Sequence, residues 1–291
     1  MKMATENVSC RRFSATLDLH EEHRRSHLLS NQHIFFGLVG YPITFVRSPG
    51  LMNTYLAEHG LPGHMIPFAV RPEALQTALA GLRHLENLRG FFVTMPFKES
   101  ILPLLDDLSE PARISGAVNI VRRAPDGRFF GHQLDGAGFV GAMMATGVTI
   151  AGASAHVAGA GGVSAGICYA LAQTGISRIT IANRNRDRGE KLADRLRGAF
   201  PKTVFAVTSA RPDREVDIVV NATSLGLSSD DPLPVDLAAT RPGIFVGDVV
   251  NVPHLTPFLE AAAARGCRIQ HGKAMFAPQI ELALRFYETG V

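Results

Sequence analysis

A glycine-rich turn between an apolar segment and a helix-like segment constrains this chain more than any other feature. Residues 154–158 have the pattern of a buried strand, and residues 164–173 have the pattern of a helix. The turn between them consists of Gly159, Ala160, Gly161, Gly162 and Val163. Gly159 permits a tight turn, Gly161 lets the backbone approach a pyrophosphate, and the N–H groups of the new helix favour negative charge. This context predicts a dinucleotide site, and a tight turn without a ligand is the alternative.

The end of the next predicted strand indicates which dinucleotide is bound. Domains that bind NAD carry an acidic residue about 20 residues after the glycines, where it bonds the ribose 2′-hydroxyl. Asn183 and Arg184 stand at that place here, followed by Arg186 and Arg188. A guanidinium can pair with a 2′-phosphate that a carboxylate would repel. The pattern therefore predicts NADP as the cofactor, and a solvated loop of arginines is the alternative.

The 291 residues are enough for two domains of ordinary size. Strand-like and helix-like segments alternate from residue 34 onward, which favours a parallel arrangement, and the second half has a doubly wound pattern. We predict an α/β fold with an N-terminal α/β domain followed by a Rossmann-type NADP-binding domain. The predicted bounds are 1–32 for an N-terminal extension, 33–134 for the N-terminal domain and 135–272 for the Rossmann domain.

The composition excludes several other classes of protein. The net charge is only +3, so bulk charge gives no sign of a nucleic-acid partner. No apolar run reaches the ~20 residues of a membrane span, and the N-terminus lacks the apolar core of a secretory signal. Three widely spaced cysteines argue against a disulfide framework and favour a reducing, cytoplasmic setting. Histidines near the N-terminus have no acidic or thiol partners at ligand spacing, so we predict no metal site.

Characteristic sequence blocks follow one another from about residue 34 to the C-terminus. They read GYPITFVRSPGLMN, FFVTMPFKES, ISGAVNIV, LDGAGF, VAGAGG, IANRN, VVNATSLG, GDVVNVPHLTPFL and HGKAMFAPQ. Together they resemble the shikimate dehydrogenase family. The resemblance implies an NADP-dependent oxidoreductase of the kind used in aromatic amino acid biosynthesis, acting on a CH–OH group of shikimate, quinate or a related hydroxy acid. It also implies that the N-terminal α/β domain is the substrate domain, that a C-terminal helix at 273–291 joins it, and that the active site lies in the interdomain cleft.

The resemblance also implies roles for individual residues. The catalytic lysine of the family falls on Lys98 and its partner aspartate on Asp135. Oxidation of an alcohol requires loss of the hydroxyl proton as hydride leaves, and a partly desolvated lysine beside a carboxylate can shuttle that proton. An isolated lysine would otherwise be read as an ordinary surface residue. The implied substrate positions are Ser48, Thr94, Asn119 and Gln279, and the further cofactor positions are Asn221, Thr223 and Met275, the last of which could equally be a core methionine.

The substrate side departs from the pattern of the family. Val46 replaces one hydroxyl of a Ser-x-Ser-Pro clamp, Phe92 replaces an asparagine, Gln133 and Leu134 replace Asn-Thr, and Asn251 replaces a tyrosine. A substrate group left unpaired by such a change costs about 1–3 kcal/mol. We therefore expect a divergent member with a more apolar pocket, in which Arg47 supplies the missing carboxylate contact.

Other functions remain open at this level. A catalytically weak or non-catalytic protein could bind a nucleotide and a small acid on the same scaffold. The altered clamp favours that alternative, whereas the retention of Lys98 and Asp135 opposes it. Binding of a phosphosugar or nucleotide without redox chemistry would make Asn183 and Arg184 incidental. We expect a small hydroxy acid as the binding partner. The sequence is compatible with both a monomer and a homodimer.

Overall fold

The computed structural model describes residues 34–44, 46–208, 211–228, 230–238 and 240–289. The predicted N-terminal extension and its histidines lie outside these described residues. Two six-stranded sheets organise the described chain. In this part of the chain, no helix combines the length and apolar character needed to cross a membrane, and no cluster of three or more His, Cys, Asp or Glu could hold a metal ion.

The first sheet is mixed. It contains β1 (Phe35–Gly40), β2 (His64–Ala69), β3 (Leu88–Val93), β4 (Asp107–Leu108), β5 (Ile120–Arg123) and β6 (Phe129–His132), in the order β2-β1-β3-β5-β6-β4. β1 runs parallel to β2 and β3, but β5 is antiparallel to β3 and β6. The predicted parallel arrangement does not extend to this edge, because a tight turn closed by the Ala124 and Gly127 backbones joins β5 to β6. Such a short turn can join only antiparallel strands.

Four helices accompany the first sheet. They are α1 (Ser48–Glu58), α2 (Leu75–Leu82), α3 (Phe97–Ser100) and α4 (Glu110–Ser115). Proline lies in the first turn of α1, and the Ser109 hydroxyl caps α4 by accepting a hydrogen bond from the Ala112 N–H. Phe97 and Ile101 are fully buried at either end of the α3 turn. Their burial fixes the backbone of Lys98, which lies between them.

The second sheet is entirely parallel. Its strands are β7 (Ser154–Ala158), β8 (Arg178–Ala182), β9 (Val204–Thr208), β10 (Ile218–Asn221), β11 (Phe245–Asp248) and β12 (Arg268–Gln270). They lie in the order β12-β11-β10-β7-β8-β9, with α5 (Asp135–Ala145), α6 (Gly162–Gln173), α7 (Arg186–Ala199) and α8 (Pro257–Ala264) in this half of the chain. The order reverses beside β7, so the glycine-rich turn after β7 lies at the topological switch point where such sheets bind ligands. The predicted α/β fold with a Rossmann-type half is confirmed.

Two helices connect the halves. α5 packs against α6, and the C-terminal helix α9 (Phe276–Thr289) packs against α5 and α1. Ile280, Ala283 and Phe286 of α9 join the apolar cluster of the first sheet. The chain therefore returns to the first half after completing the second sheet, and this return brings side chains of α9 to the N-terminus of α5.

Candidate active site

Lys98 and Asp135 form a largely buried ion pair where the two halves meet. Lys98 lies on α3, and Asp135 is the first residue of α5. The Nζ of Lys98 lies 2.5 Å from Oδ2 of Asp135, and the two side chains are 15% and 6% exposed. The helix dipole of α5 favours a carboxylate in its first turn. The fold thus brings together the two residues to which the resemblance assigned proton transfer.

The second oxygen of Asp135 accepts hydrogen bonds from two side-chain amides. Asn119 Nδ2 and Gln279 Nε2 each donate to Oδ1 over 2.9 Å. Asn119 Oδ1 in turn accepts a hydrogen bond from the Leu134 N–H at 2.7 Å. In this structure both amides orient the carboxylate and stabilise its negative charge, and their role in binding substrate stays a prediction. Gln279 reaches Asp135 from α9, so the C-terminal helix completes the site.

The remaining expected substrate residues lie at the carboxyl ends of β1 and β3. Thr94 follows β3 directly and is half-buried, and Ser48 begins α1 and is also half-buried. Arg47 precedes Ser48 and is exposed. Within the described chain, no side-chain hydrogen bond or ion pair involves the Arg47 guanidinium. Its charge is therefore available to a ligand.

Phe92 and Leu134, which the sequence predicts to make the pocket more apolar, are both buried. Both are about 5% exposed or less and belong to the apolar cluster beneath α9. Both apolar side chains therefore pack within this core. Val46 packs against the same cluster. Asn251 differs, because its buried Oδ1 has no hydrogen-bond partner among the described residues.

The glycine-rich turn has the geometry of an anion site. Gly159 has φ +108, and a Cβ on it would lie 2.8 Å from the Ala222 carbonyl oxygen, so only glycine fits. The Ser164 hydroxyl donates to the Gly159 carbonyl at 2.6 Å and closes the turn. α6 begins at Gly162 after Gly161, and no side chain caps it. Its first N–H groups therefore have no side-chain partner. The turn also contains Ala160, which is buried, and Val163, which is half-buried.

The residues expected to select the dinucleotide surround this turn. Asn183 directly follows β8 and donates to the Asn185 carbonyl at 2.8 Å, and Asn185 caps α7. Arg184 is exposed, without a side-chain partner in the described chain. Arg188 Nε donates to the Ala160 carbonyl at 3.0 Å, which holds the guanidinium over the turn. Arg188 also forms an ion pair with Glu99, the residue next to Lys98.

Three other expected cofactor residues have internal roles. Asn221 is fully buried and donates to Asp248 Oδ1 at 2.9 Å, while its own Oδ1 accepts from the N–H and the hydroxyl of Thr223. Burial raises the pKa of Asp248, against the hydrogen bonds that it accepts. Met275 is 5% exposed and packs in the main core of the second half. The core interpretation of Met275 is therefore the one that its packing supports.

Comparisons with known proteins agree with this geometry. A family model described as the shikimate dehydrogenase substrate binding domain matches residues 38–121, and one described as shikimate / quinate 5-dehydrogenase matches residues 142–228. The NADP(+) shikimate dehydrogenase of Rubrobacter xylanophilus is 42% identical over 258 residues, which cover 88% of this chain and 90% of the relative. The chain belongs to the shikimate dehydrogenase family.

Solved structures extend the comparison to the whole fold. The family member from Thermus thermophilus in complex with NADP(H) and shikimate superposes with a TM-score of 0.78 at 32% identity, covering 89% of this chain and 94% of that one. The ligand-free 5-ketofructose reductase of a Gluconobacter strain superposes with a TM-score of 0.81 at 28% identity, covering 90% and 95%. The same fold therefore carries reductases with different named substrates.

Three residues that connect the two halves carry no local sequence signal of a function. In the sequence Gln133 is only a departure from the family pattern, yet it contacts both Asp135 and the glycine-rich turn. Glu99 lies beside Lys98, and nothing local indicates that its partner is on α7. Arg195 of α7 donates to the carbonyls of Ile114 and Ser115 in the first half. Such contacts between distant segments have no signature in local sequence patterns.

Proposed function

We propose that this protein is an NADP-dependent dehydrogenase that interconverts a secondary alcohol and a ketone on shikimate or a related hydroxy acid such as quinate. The observation that carries the proposal is the Lys98–Asp135 ion pair beside the glycine-rich turn. A protein that only binds nucleotide and acid has no need of such a pair. Its retention therefore disfavours the non-catalytic alternative.

Lys98 is the proposed proton shuttle. NADP, when bound, would accept the hydride that leaves the alcohol carbon. The Lys98 ammonium has three N–H donors, of which one is used on Asp135, so donors remain for the substrate oxygen. During alcohol oxidation, neutral Lys98 would take the hydroxyl proton, and Asp135 would stabilise the resulting ammonium. In ketone reduction the same ammonium would return the proton to the developing alkoxide.

The charges around the turn support NADP over NAD. Arg184 is unpaired in the described chain, and Arg188 is held at the turn by the Ala160 carbonyl. No carboxylate occupies the place after β8 where NAD-binding domains carry one. The proposed cofactor residues are Gly159, Ala160, Gly161, Gly162, Val163, Asn183, Arg184 and Arg188, with Asn221, Thr223 and Met275 supporting the turn and its surroundings.

The residues expected to bind substrate favour a ligand that carries a carboxylate. We assign the substrate carboxylate to Arg47 and Ser48, and the substrate hydroxyls to Thr94, Lys98, Asn119, Asp135 and Gln279. Arg47 compensates for the hydroxyl that Val46 lacks, because a guanidinium binds a carboxylate through two parallel hydrogen bonds. The likeness to 5-ketofructose reductase gives a second candidate, a neutral keto sugar, for which Arg47 would have no partner.

The proposal includes the organisation of the chain. The substrate domain comprises residues 33–134 together with 273–291, and the NADP-binding domain comprises 135–272. Cys168 and Cys267 are free thiols, which favours a reducing, cytoplasmic setting. A monomer and a homodimer are both compatible with these features, and light scattering on the purified protein distinguishes them.

A substrate panel tests the function. Purified protein is incubated with NADPH or NADH and 3-dehydroshikimate, 3-dehydroquinate or 5-ketofructose, and loss of the reduced nicotinamide absorbance is followed. We expect turnover with a keto acid and a preference for NADPH. We also expect Arg47→Ala to raise KM for the acid about tenfold, which is the loss of one charge-assisted contact. NADPH binding without turnover of any ketone would instead support the non-catalytic alternative.

A further inference from the structure

Gln133 connects the candidate catalytic carboxylate to the glycine-rich turn. Its Oε1 accepts a hydrogen bond from the Asp135 N–H at 2.6 Å, and its Nε2 donates to the Gly162 carbonyl at 3.2 Å. The residue is 4% exposed. One side-chain amide therefore links the first residue of α5 to the first residue of α6.

The packing around Gln133 holds it in this position. Gly166 of α6 lies opposite, and a Cβ on Gly166 would come within 2.9 Å of Gln133 Cδ. The amide thus occupies space that only a glycine leaves free. Its length also matters, because an asparagine is one methylene shorter. An asparagine at position 133 could still accept a hydrogen bond from the Asp135 N–H, as in an Asx turn, but its side chain would not reach the Gly162 carbonyl.

We propose that Gln133 is a positioning residue that sets Asp135, and through it Lys98, at a fixed distance from the bound dinucleotide. This inference rests on the proposed function. Asp135 has its two carboxylate oxygens occupied by Lys98, Asn119 and Gln279, so Gln133 acts on the backbone of the same residue. Gln133 is the described side chain that bonds both Asp135 and the glycine-rich turn, and hydride transfer depends on the spacing between these two groups.

Three substitutions separate the two contacts. Gln133→Asn keeps an acceptor for the Asp135 N–H and loses the Gly162 contact. Gln133→Glu keeps the acceptor and places a negative charge against the Gly162 carbonyl. Gln133→Met is similar in shape and loses both contacts. Gln270→Met is the matched control, because Gln270 is equally buried and donates to the Phe139 carbonyl of α5, away from Asp135 and the turn.

The readouts are the Kd for NADPH by fluorescence, kcat and KM for the ketone, and the pH profile of kcat. We expect Gln133→Asn, which loses the link to Gly162, to lower kcat about fivefold and to raise the Kd for NADPH by about the same factor, as befits the loss of one hydrogen bond. Gln133→Glu should show larger effects of the same kind, because its carboxylate faces the Gly162 carbonyl. We expect Gln133→Met also to lower kcat about tenfold or more and to shift its pH profile, whereas Gln270→Met changes stability alone.

Parallel behaviour of the Gln133 and Gln270 variants, with altered stability and unchanged kcat and Kd, would overturn the inference. Gln133→Asn decides the matter if Gln133→Met does not fold. If the wild-type protein turns over no ketone, the proposed function is wrong. The Kd for NADPH of the Gln133 variants then still tests the hydrogen bond between Gln133 and Gly162. An unchanged Kd in Gln133→Asn would then contradict it.

Discussion

The Cβ of Lys98 lies 3.1 Å from the point that a Cβ on Gly162 would occupy. The lysine of the candidate active site therefore packs directly on the first residue of α6, without an intervening side chain. The same point would lie 3.0 Å from the Cβ of Ala117. The absence of a side chain at Gly162 is thus a requirement for the position of Lys98 as well as for access to the turn.

Gly162→Ala should lower kcat about tenfold while the protein still folds. The added methyl group must push Lys98 or Ala117 by a few tenths of an ångström, and misplacement of a reacting group is costly in rate. Steady-state kinetics and a urea melt measure the two effects. Gly198→Ala is the control, because a Cβ there meets nothing within 4 Å. Replacing this helical glycine should stabilise the fold by about 0.5–1 kcal/mol. Equal kcat in the two variants would refute the steric link.

Glu99→Gln should tighten NADP binding up to about fivefold and leave NAD binding unchanged. Glu99 pairs with Arg188, so its carboxylate competes with a 2′-phosphate for the same guanidinium. Both side chains are about half exposed, which limits the effect of the pair. Binding of each dinucleotide is measured by fluorescence titration. Asp194→Asn, which removes an exposed partner of Arg197 on the same helix, serves as control. A change of the same size for NADP and NAD would show that the pair does not act on the phosphate.

His156→Val should remove part of the acid sensitivity of the fold. Burial lowers the pKa of His156 from 6.5 to about 4, weakly opposed by Asp213. The unfolded chain therefore binds a proton below pH 6.5 that the folded protein does not take up until about pH 4. The stability that depends on neutral His156 is complete above pH 6.5 and is lost as the pH falls toward 4.

The free energy of unfolding from urea melts at pH 7 and pH 5 measures this effect. Wild type should lose about 2 kcal/mol more than His156→Val over this interval, given 1.36 kcal/mol per unit of pKa. His84→Val is the control, because His84 is exposed. If wild type and His156→Val lose the same stability, His156 is not the group that titrates.

Local patterns predicted the second half of the fold well. Its strands are short apolar runs that end at or just before glycines or polar residues, and the predicted run at residues 154–158 is β7 of the parallel sheet. The glycine-rich turn was recognisable because its function requires a fixed order of strand, glycines and helix. In the first half, alternation alone gave no sign that β5 and β6 form an antiparallel hairpin.

The sequence predicted the residues of the candidate site better than it predicted the hydrogen bonds between them. The resemblance indicated Lys98, Asp135, Asn119 and Gln279, and the fold brings them together. It could not show that both amides bond the carboxylate, because that depends on how α9 returns to the first half. For the same reason, the sequence could not show that Phe92 lies in the apolar cluster beneath α9. Whether an apolar side chain faces a ligand or a core is decided by the element packed over it.

Lys98→Met tests the proton-transfer pair most directly. Methionine keeps the apolar stem that packs on Gly162 and removes the ammonium. With NADPH and the keto acid that the substrate panel identifies, kcat should fall by about 10²–10⁴ while the Kd for NADPH stays within about twofold. Lys202→Met, at an exposed lysine of the second half, should change neither value. A Lys98→Met variant with activity close to that of wild type would contradict the role assigned to this pair. Loss of both NADPH binding and turnover in this variant would also contradict it.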